Sequence, residues 1–477
     1  MMIVMGWIGR KRGAAIVLAA VLAAAALAAV LGAVAVAAPL GFLHVRFDLS
    51  QTASLLSAYP DLAVSANGDR VAAVWTEGYS ANTFKGHVYL RTASETGGGW
   101  GSRIRVFTGT ANMCAYRAAV AITETMAHVA YVVFNDTCND PKWVYLRYGT
   151  CSLASGQCGN WQDVYTERTD QTGYLITHVD IALGEGGAPH VVWGQYKKDE
   201  TVGNIMYSTR SGAGWSSGQY VNLAGGRINR EPAIAWADGY VHVAWEAEGG
   251  DGYAIMYRRR EDESGKWDNN VVPVVPPRLG PPLGNPDVAA GAGHIFVVWD
   301  WCVDESNGRC LTYNVVYARS NLSGTWAFSD WREVGTGNST GWEDYYSTDV
   351  VDALPDKAQY LLDLNPSVVL NRTGWPTVVW HADRSEGAYT DYAIYYSYAF
   401  TGTATDAVWI TRTVLSEAQP TTLGRVVVGV GELRPGEQHL HVAYMGKLST
   451  GAWDVYYDSN ERDQYKYTYL PLVMRGR

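Results

Sequence analysis

Arg117 and Arg230 stand near the start of short alternating apolar runs, and Arg384 follows just after the end of one. A guanidinium so placed either pairs with a neighbouring acid such as Glu231 in a solvated rim salt bridge or stays available to a ligand. Acids capable of proton transfer or hydrogen bonding recur in comparable places: Asp61, Asp136, Glu246, Asp300 and Asp383. Trp301, His381 and the run Trp342-Glu343-Asp344-Tyr345-Tyr346 add rings with polar tips. Trp and Tyr suit half-wet binding faces, and the chain uses Trp 19 and Tyr 31 against Phe 8. Tightly stacked sheets consume the same residues. No Ser-His-Asp arrangement with recognisable local sequence is present, and no Gly-rich loop leads from a strand into a helix. The histidines His178, His190, His381, His439 and His441 are too scattered for a metal constellation. Asp300, Asp304 and Glu305 offer oxygen ligands of the kind calcium takes, or simply solvate their loop. No other cofactor is indicated.

The elements that must position these groups repeat. Val71–Trp75 (VAAVW), His190–Trp193 (HVVW), Val241–Trp245 (VHVAW), Ile295–Trp299 (IFVVW) and Pro376–Trp380 (PTVVW) are copies of one phrase, with weaker copies at His128–Phe134 and His439–Tyr444. Each follows a run such as Pro60–Val64 or Pro286–Ala289, and precedes another such as Asn204–Tyr207 or Ala254–Tyr257. Seven units at roughly 50–60 residue spacing fall in the range of propellers and repeat arrays. Period-two alternation bounded by Gly, Asn and Asp predicts antiparallel strands joined by hairpins. Four-stranded sheets repeated this way predict an all-β, seven-bladed β-propeller. Its blades are expected at about 58–107, 114–167, 177–223, 230–276, 284–334, 364–415 and 419–460 within a domain spanning 41–473. His44–Leu49 or Tyr465–Val473 would close the ring. The tryptophans of the repeated phrase are expected to pack blade against blade.

The hairpin after the third strand carries a family resemblance. Ser208–Trp215 reads STRSGAGW and keeps Ser208, Gly212 and Trp215. Ala93–Trp100 keeps Gly97 and Trp100, Arg260–Trp267 keeps Asp262 and Trp267, and Arg319–Trp326 has Asn321 and Trp326. These resemble degenerate copies of the Asp box, Ser-x-Asp-x-Gly-x-x-Trp, of the sialidase superfamily. The resemblance implies a site on the face shared by the loops into the first strands and those between second and third strands. That face would collect Tyr59, Glu77, Arg117, Asp136, His178, Gln195, Arg230, Glu231, Glu246, Asp300, Trp301, Asp304, His381, Asp383 and Arg384, together with the insertion at 335–363. Sialidase chemistry would further imply Arg117, Arg230 and Arg384 as a carboxylate clamp, Glu343 with Tyr345 or Tyr346 as the nucleophile pair, and Asp136 or Asp61 as the acid. The chain departs from the family in its seven units rather than six, and in lacking the Arg-Ile-Pro signature, to which Arg230-Glu231-Pro232 comes nearest.

Residues 1–38 read as an export segment. Arg10, Lys11 and Arg12 precede an apolar run from Gly13 to Ala38 that ends in small-x-small cleavage sites. The run is also long enough to remain as an uncleaved anchor. Both readings place the rest outside the cytoplasm. The six cysteines agree, and three local pairs, Cys114 with Cys138, Cys151 with Cys158 and Cys302 with Cys310, are the simplest of fifteen arrangements. Asn135, Asn321, Asn338 and Asn371 begin Asn-x-Ser/Thr sites of surface loops. The net charge of −10 with 18% charged residues offers no basic stripe for nucleic acid. The expectation is an exported propeller binding a glycan or protein through its loop face, without turnover, the binding set being Arg117, Arg230, Glu246, Asp300, Trp301, Trp342, Tyr345, His381 and Asp383. A sialidase-like glycoside hydrolase and a cell-envelope scaffold are the alternatives.

Overall fold

The computed structural model describes residues 47–52, 55–80, 83–94, 99–199, 201–212, 214–223, 227–278, 283–306, 309–321, 328, 332–333, 361–386, 389–402, 407–415, 422–434, 437–447 and 453–459. Residues 1–38, expected to be an export segment, and the insertion bearing Trp342, Glu343, Tyr345 and Tyr346 lie outside the described residues. Among the described residues no helix is long and apolar enough to cross a membrane.

The fold is all-β, and its helical pieces among the described residues are one turn at Thr169–Thr172 and a 3-10 turn at Glu185–Gly187. The strands pair antiparallel in chain order. Ser57–Val64, Arg70–Gly78, Gly86–Ser94 and Ile104–Phe107 form the first group of four. Met113–Ile122, Met126–Asn135, Trp143–Ser152 and Cys158–Arg168 form the next. The pattern recurs in groups whose first strands are Tyr174–Leu183, Ile228–Ala237, Leu283–Gly291, Leu361–Leu370 and Thr422–Arg434. The last group has three strands from its own stretch of chain, and Phe47–Asp48 supplies the fourth by pairing with Tyr456 and Tyr457. Each first strand packs on the first strand of the following group, and Thr422–Arg434 packs back on Ser57–Val64. Joining the two ends of the chain in one sheet removes a free sheet edge.

Alternation explains the packing. A half-buried strand sends every second side chain to each face. The tryptophans of the repeated phrase, Trp75, Trp193, Trp245, Trp299 and Trp380, are all buried. Each joins residues of the preceding group: Trp75 meets Val427 and Ala443, Trp193 meets Val132 and Leu146, and Trp299 meets Ala244 and Ile255. Burying such a ring contributes about 4–6 kcal/mol at 25 cal/mol per Å².

A second contact repeats toward the outside. His128, His190, His242 and His441 each lie three residues before a ring of their phrase, Tyr131, Trp193, Trp245 or Tyr444. Each Nδ1 is hydrogen-bonded to a tyrosine of the next strand, Tyr148, Tyr207, Tyr257 or Tyr457, at 2.6–2.7 Å. Three of these tyrosines receive a hairpin tryptophan edge-on from the following group: Tyr148 with Trp215 at 5.0 Å, Tyr207 with Trp267 at 5.2 Å and Tyr457 with Trp100 at 4.7 Å. Each of these tryptophans bridges back to its third strand, Ala93 to Trp100, Arg210 to Trp215 and Arg260 to Trp267, so the hairpin holds the ring in place. Cys114–Cys138 and Cys151–Cys158 are disulfides. The third expected pair involves Cys310, whose side chain lies outside those described.

Candidate functional site at the axial cavity

Every first strand breaks its register near its start. The breaks fall between Ala58 and Asp61, Tyr116 and Ala118, Ile176 and Val179, Arg230 and Ala233, Gly284 and Asp287, Leu364 and Ser367, and Leu423 and Val426. Five bulge residues take positive φ: Tyr59 at 54°, Arg117 at 61°, Glu231 at 47°, Asn285 at 47° and Asn365 at 53°. Such a backbone costs of order 1–3 kcal/mol for a residue with a Cβ and is kept where the surroundings over-determine it. In four strands a proline follows, Pro60, Pro232, Pro286 or Pro366. It has no N–H to leave unpaired where the ladder lapses.

The bulges aim one side chain per strand at the axis. Arg117, His178, Glu231, Asn285, Asn365 and Arg425, with Asp61, Asp180 and Asp287 two positions further along their strands, line a cavity of about 110 Å³. These two levels have different work. The aspartates stitch neighbouring groups together. Asp61 Oδ2 accepts from the Val120 amide at 2.7 Å, Asp180 Oδ2 from Ile234 at 2.9 Å and Asp287 Oδ2 from Val368 at 2.8 Å. Ser367 Oγ takes the same place toward the Val428 amide at 3.4 Å. Burial pushes Asp61 up to about 6 and Asp180 up to about 8, the latter helped by the charges of Asp61 and Asp287.

The bulge level is the polar one. Glu231 Oε2 accepts from the Asn285 amide at 3.0 Å, and Oε1 lies 3.3 Å from His178 Nε2. Burial opposes the Glu231 charge but is outweighed by His178, Arg117 and the Asn285 amide, which hold it down at about 2. Burial, then the Arg117 charge, brings His178 down to about 4 despite Glu231. His178 Nδ1 lies 3.1 Å from Tyr196 Oη. The Arg117 guanidinium stacks 4.4 Å from the Tyr59 ring. Arg103, Arg147, Arg227, Arg230 and Arg259 are each ion-paired. Arg117 and Arg425 have no carboxylate at ion-pair distance among the described residues.

Of the residues singled out from sequence, the fold gathers Asp61, Arg117, His178 and Glu231 at the cavity. Arg230 turns away and pairs with Glu248 at 2.8 Å rather than with Glu231. Asp136 is an exposed partner of Lys142 at 2.8 Å. Glu77 is ion-paired with Arg103. Asp300 is buried, and its Oδ2 receives Asn285 Nδ2 at 2.6 Å and the Asn365 amide at 3.2 Å, so it positions two cavity residues. Trp301 corrects the expectation of a ligand contact: at 1% exposure it is packed with Leu283 and Trp299, because strand alternation turns it into the core. His381 is buried and brought down to about 4 by burial. Asp383 and Arg384 stand on the strand Pro376–Glu386, with side chains outside those described, as are those of Asp304 and Glu305. Among the described residues no group of three or more His, Cys, Asp or Glu could hold a metal ion. Sequence reading missed Asp180, Asn285, Asp287, Asn365 and Arg425. The recurring proline after the bulge was the available signal for Asn285, Asp287 and Asn365; the strands carrying Asp180 and Arg425 have no proline.

No family model matches the chain, and no curated protein matches it. Among solved structures, an ulvan lyase of a new polysaccharide lyase family aligns with 87% of this chain and 96% of its own, at 10% identity and a TM-score of 0.52. A protein of unknown function from Dyadobacter fermentans aligns with 88% and 98% at 10% identity and a TM-score of 0.47. The NanB sialidase of Streptococcus pneumoniae aligns with 88% and 70% at 9% identity and a TM-score of 0.44. At such identities the likeness to the ulvan lyase is one of fold: the chain shares its all-β, propeller-like architecture.

Proposed function

We propose that this chain is an exported seven-bladed β-propeller that binds an acidic glycan end-on at its axial cavity. The succession of four-stranded groups, the contact of the last first strand with the first, and the closing strand Phe47–Asp48 support the blade count. The hairpin tryptophans support reading the third-strand hairpins as degenerate Asp boxes. The export run and the two disulfides support a place outside the cytoplasm.

The observation that carries the ligand class is that Arg117 and Arg425 have no carboxylate at ion-pair distance among the described residues, in a cavity whose carboxylates are already engaged. Asp61, Asp180 and Asp287 are spent on backbone amides, and Glu231 on His178 and Asn285. Two guanidiniums without a carboxylate partner in a half-buried site suit an anion, and carboxylate geometry fits them. The cavity is smaller than the roughly 300–1000 Å³ typical of whole-ligand pockets. It therefore accepts one charged end of a sugar chain, and the remainder lies on the loop face.

A glycan array of matched acidic and neutral oligosaccharides tests this. The wild type is expected to select carboxylate-bearing glycans. Arg117→Ala and Arg425→Ala are each expected to weaken binding about 10- to 100-fold, the loss of a hydrogen bond to a charged group. Equal binding of neutral and acidic glycans would refute the reading.

A further inference from the structure

One residue of the cavity wall is held at both ends. The Asn285 backbone amide donates to Glu231 Oε2 at 3.0 Å, and its side-chain Nδ2 donates to Asp300 Oδ2 at 2.6 Å. Asp300 follows Trp299 of the repeated phrase and lies opposite Gly284, behind the bulge of its own group. It is fully buried. Thr76 has the same place in the first group, where its Oγ1 donates to the Ala58 carbonyl at 3.1 Å. Glu246 has it one group before Asp300, opposite Arg230. Its Oε2 faces Gly284, and burial, then the Glu231 charge, raises it to about 8. Asp300 instead reaches a side chain that lines the cavity.

That contact leaves the Asn285 amide one orientation. Asp300 Oδ2 also receives the Asn365 backbone N–H at 3.2 Å, and an N–H only donates. This oxygen is therefore an acceptor, and the part of the Asn285 amide that faces it is the NH2. Oδ1 points elsewhere. Asn285 is half-buried on the cavity wall, and among the described residues no N–H or O–H donates to its Oδ1.

We propose that Asn285 Oδ1, aimed by Asp300, accepts a ligand hydroxyl in the axial cavity, and that the site thereby selects a terminal hexuronate. The proposal rests on the acidic-glycan reading above and narrows it. A cavity of about 110 Å³ holds one charged group and its nearest substituent. Arg117 and Arg425 offer donors to the carboxylate. A hydroxyl beside that carboxylate needs an acceptor, and Asn285 supplies one. In a hexuronate the carbon bearing the carboxylate adjoins a ring carbon bearing a hydroxyl. In a sialic acid glycoside the adjoining ring carbon is a methylene, which would cover the amide oxygen without bonding to it. An acceptor desolvated in that way is a penalty, so two ligands of equal charge are distinguished. Asp300 is a positioning residue here, because it acts on the ligand through Asn285.

Dissociation constants of four methyl glycosides for the full-length chain test this by ligand-observed NMR titration. The probes are glucuronate, galacturonate, their shared 4-deoxy analogue and N-acetylneuraminate. The first two differ only in the hand of the C4 hydroxyl, and the third lacks it. The better-bound epimer is expected to bind about 3- to 10-fold more tightly than the deoxy compound or the sialoside, the range of one net hydrogen bond. Asn285→Gly accepts the positive φ and removes the acceptor, so the ratio of deoxy to hydroxylated dissociation constants should fall to about 1. Asp300→Ala frees the amide and should bring that ratio below about 2, whereas Asp300→Asn, whose carbonyl can receive both N–H groups, should restore it. A merely structural Asp300 would weaken every probe alike and leave the ratio unchanged. An unchanged ratio in Asp300→Ala or Asn285→Gly overturns the proposal. Equal binding of hydroxylated and deoxy uronates by the wild type, or a sialoside bound as tightly as the better uronate, also overturns it and leaves the acidic-glycan reading standing. If none of the four carboxylates binds, both fail together.

Discussion

Removing the Asp287 carboxylate should loosen one seam of the ring by a predictable amount. Its Oδ1 accepts from its neighbour Val288 and its Oδ2 from Val368 in the following group, both at 2.8 Å. Val368 is buried, so Asp287→Ala leaves its amide without a partner or water. An unsatisfied buried donor costs about 1–3 kcal/mol, and the local bond to Val288 adds less because water replaces it more readily. Burial of the carboxylate works the other way and raises its pKa. The net loss is therefore about 2 kcal/mol. For the roughly 340 described residues the unfolding entropy is roughly 0.7 kcal/mol per kelvin, so the melting temperature should fall about 3 °C. The chain contains its own control, since Ser367 takes the equivalent position at the next seam. Asp287→Ser should recover part of the loss. The sign with pH is also determined. A raised folded pKa means that the contribution is full below the unfolded value near 3.8 and declines as pH rises. The penalty of Asp287→Ala should therefore be larger near the unfolded value, at about pH 4, than at pH 8. Differential scanning calorimetry at the two pH values decides this. An Asp287→Ala variant as stable as the wild type, or a penalty growing with pH, would refute the stitching argument.

Two further outcomes follow from the packing. Burial brings His128 and His190 down to about 4 and His242 down to about 3, so all three are neutral in the folded chain at neutral pH. A depressed folded pKa gives stability that is present above the unfolded value near 6.5 and lost as pH falls toward 4. Thermal melts across pH 7 to 4 should show this loss, and His242→Phe, which copies Phe296 at the equivalent position, should reduce its slope; an unchanged slope would argue against it. Deleting residues up to Thr52 removes the pairing of Phe47 with Tyr457 and the bonds of Ser50 and Thr52 to Asp454. The exposed edge of Trp453–Ser459 should then drive self-association, visible by size-exclusion chromatography with light scattering; a monomer of unchanged stability would contradict the closing role of Phe47–Asp48.

Much of this architecture was legible in the chain because period-two alternation and turn residues are local signals. The phrase ending in Trp75, Trp193 or Trp245 announced a strand with one face turned to a neighbour, and the fold places those rings there. The site was legible only in part. Arg117, His178 and Glu231 were recognisable as residues near strand starts, yet so was Arg230, and only Pro232 marks Glu231 rather than its predecessor as the bulge residue. Their difference lies in the bulge: a single unpaired step turns Glu231 to the axis and leaves Arg230 beside Glu248. Trp301 was misjudged for the same reason, since one place along a strand exchanges ligand face for core.

Taken alone, the order of residues determined the strands, their repetition and which faces are apolar, because each depends on neighbours a few positions apart. The tertiary structure decided which side chains meet. Arg117 and Arg425 are separated by most of the chain and share one cavity because the two ends of the chain join in one sheet. Glu231 and Glu246 acquire opposite proton preferences because burial and nearby charges, which no spacing encodes, differ between two points on adjacent strands.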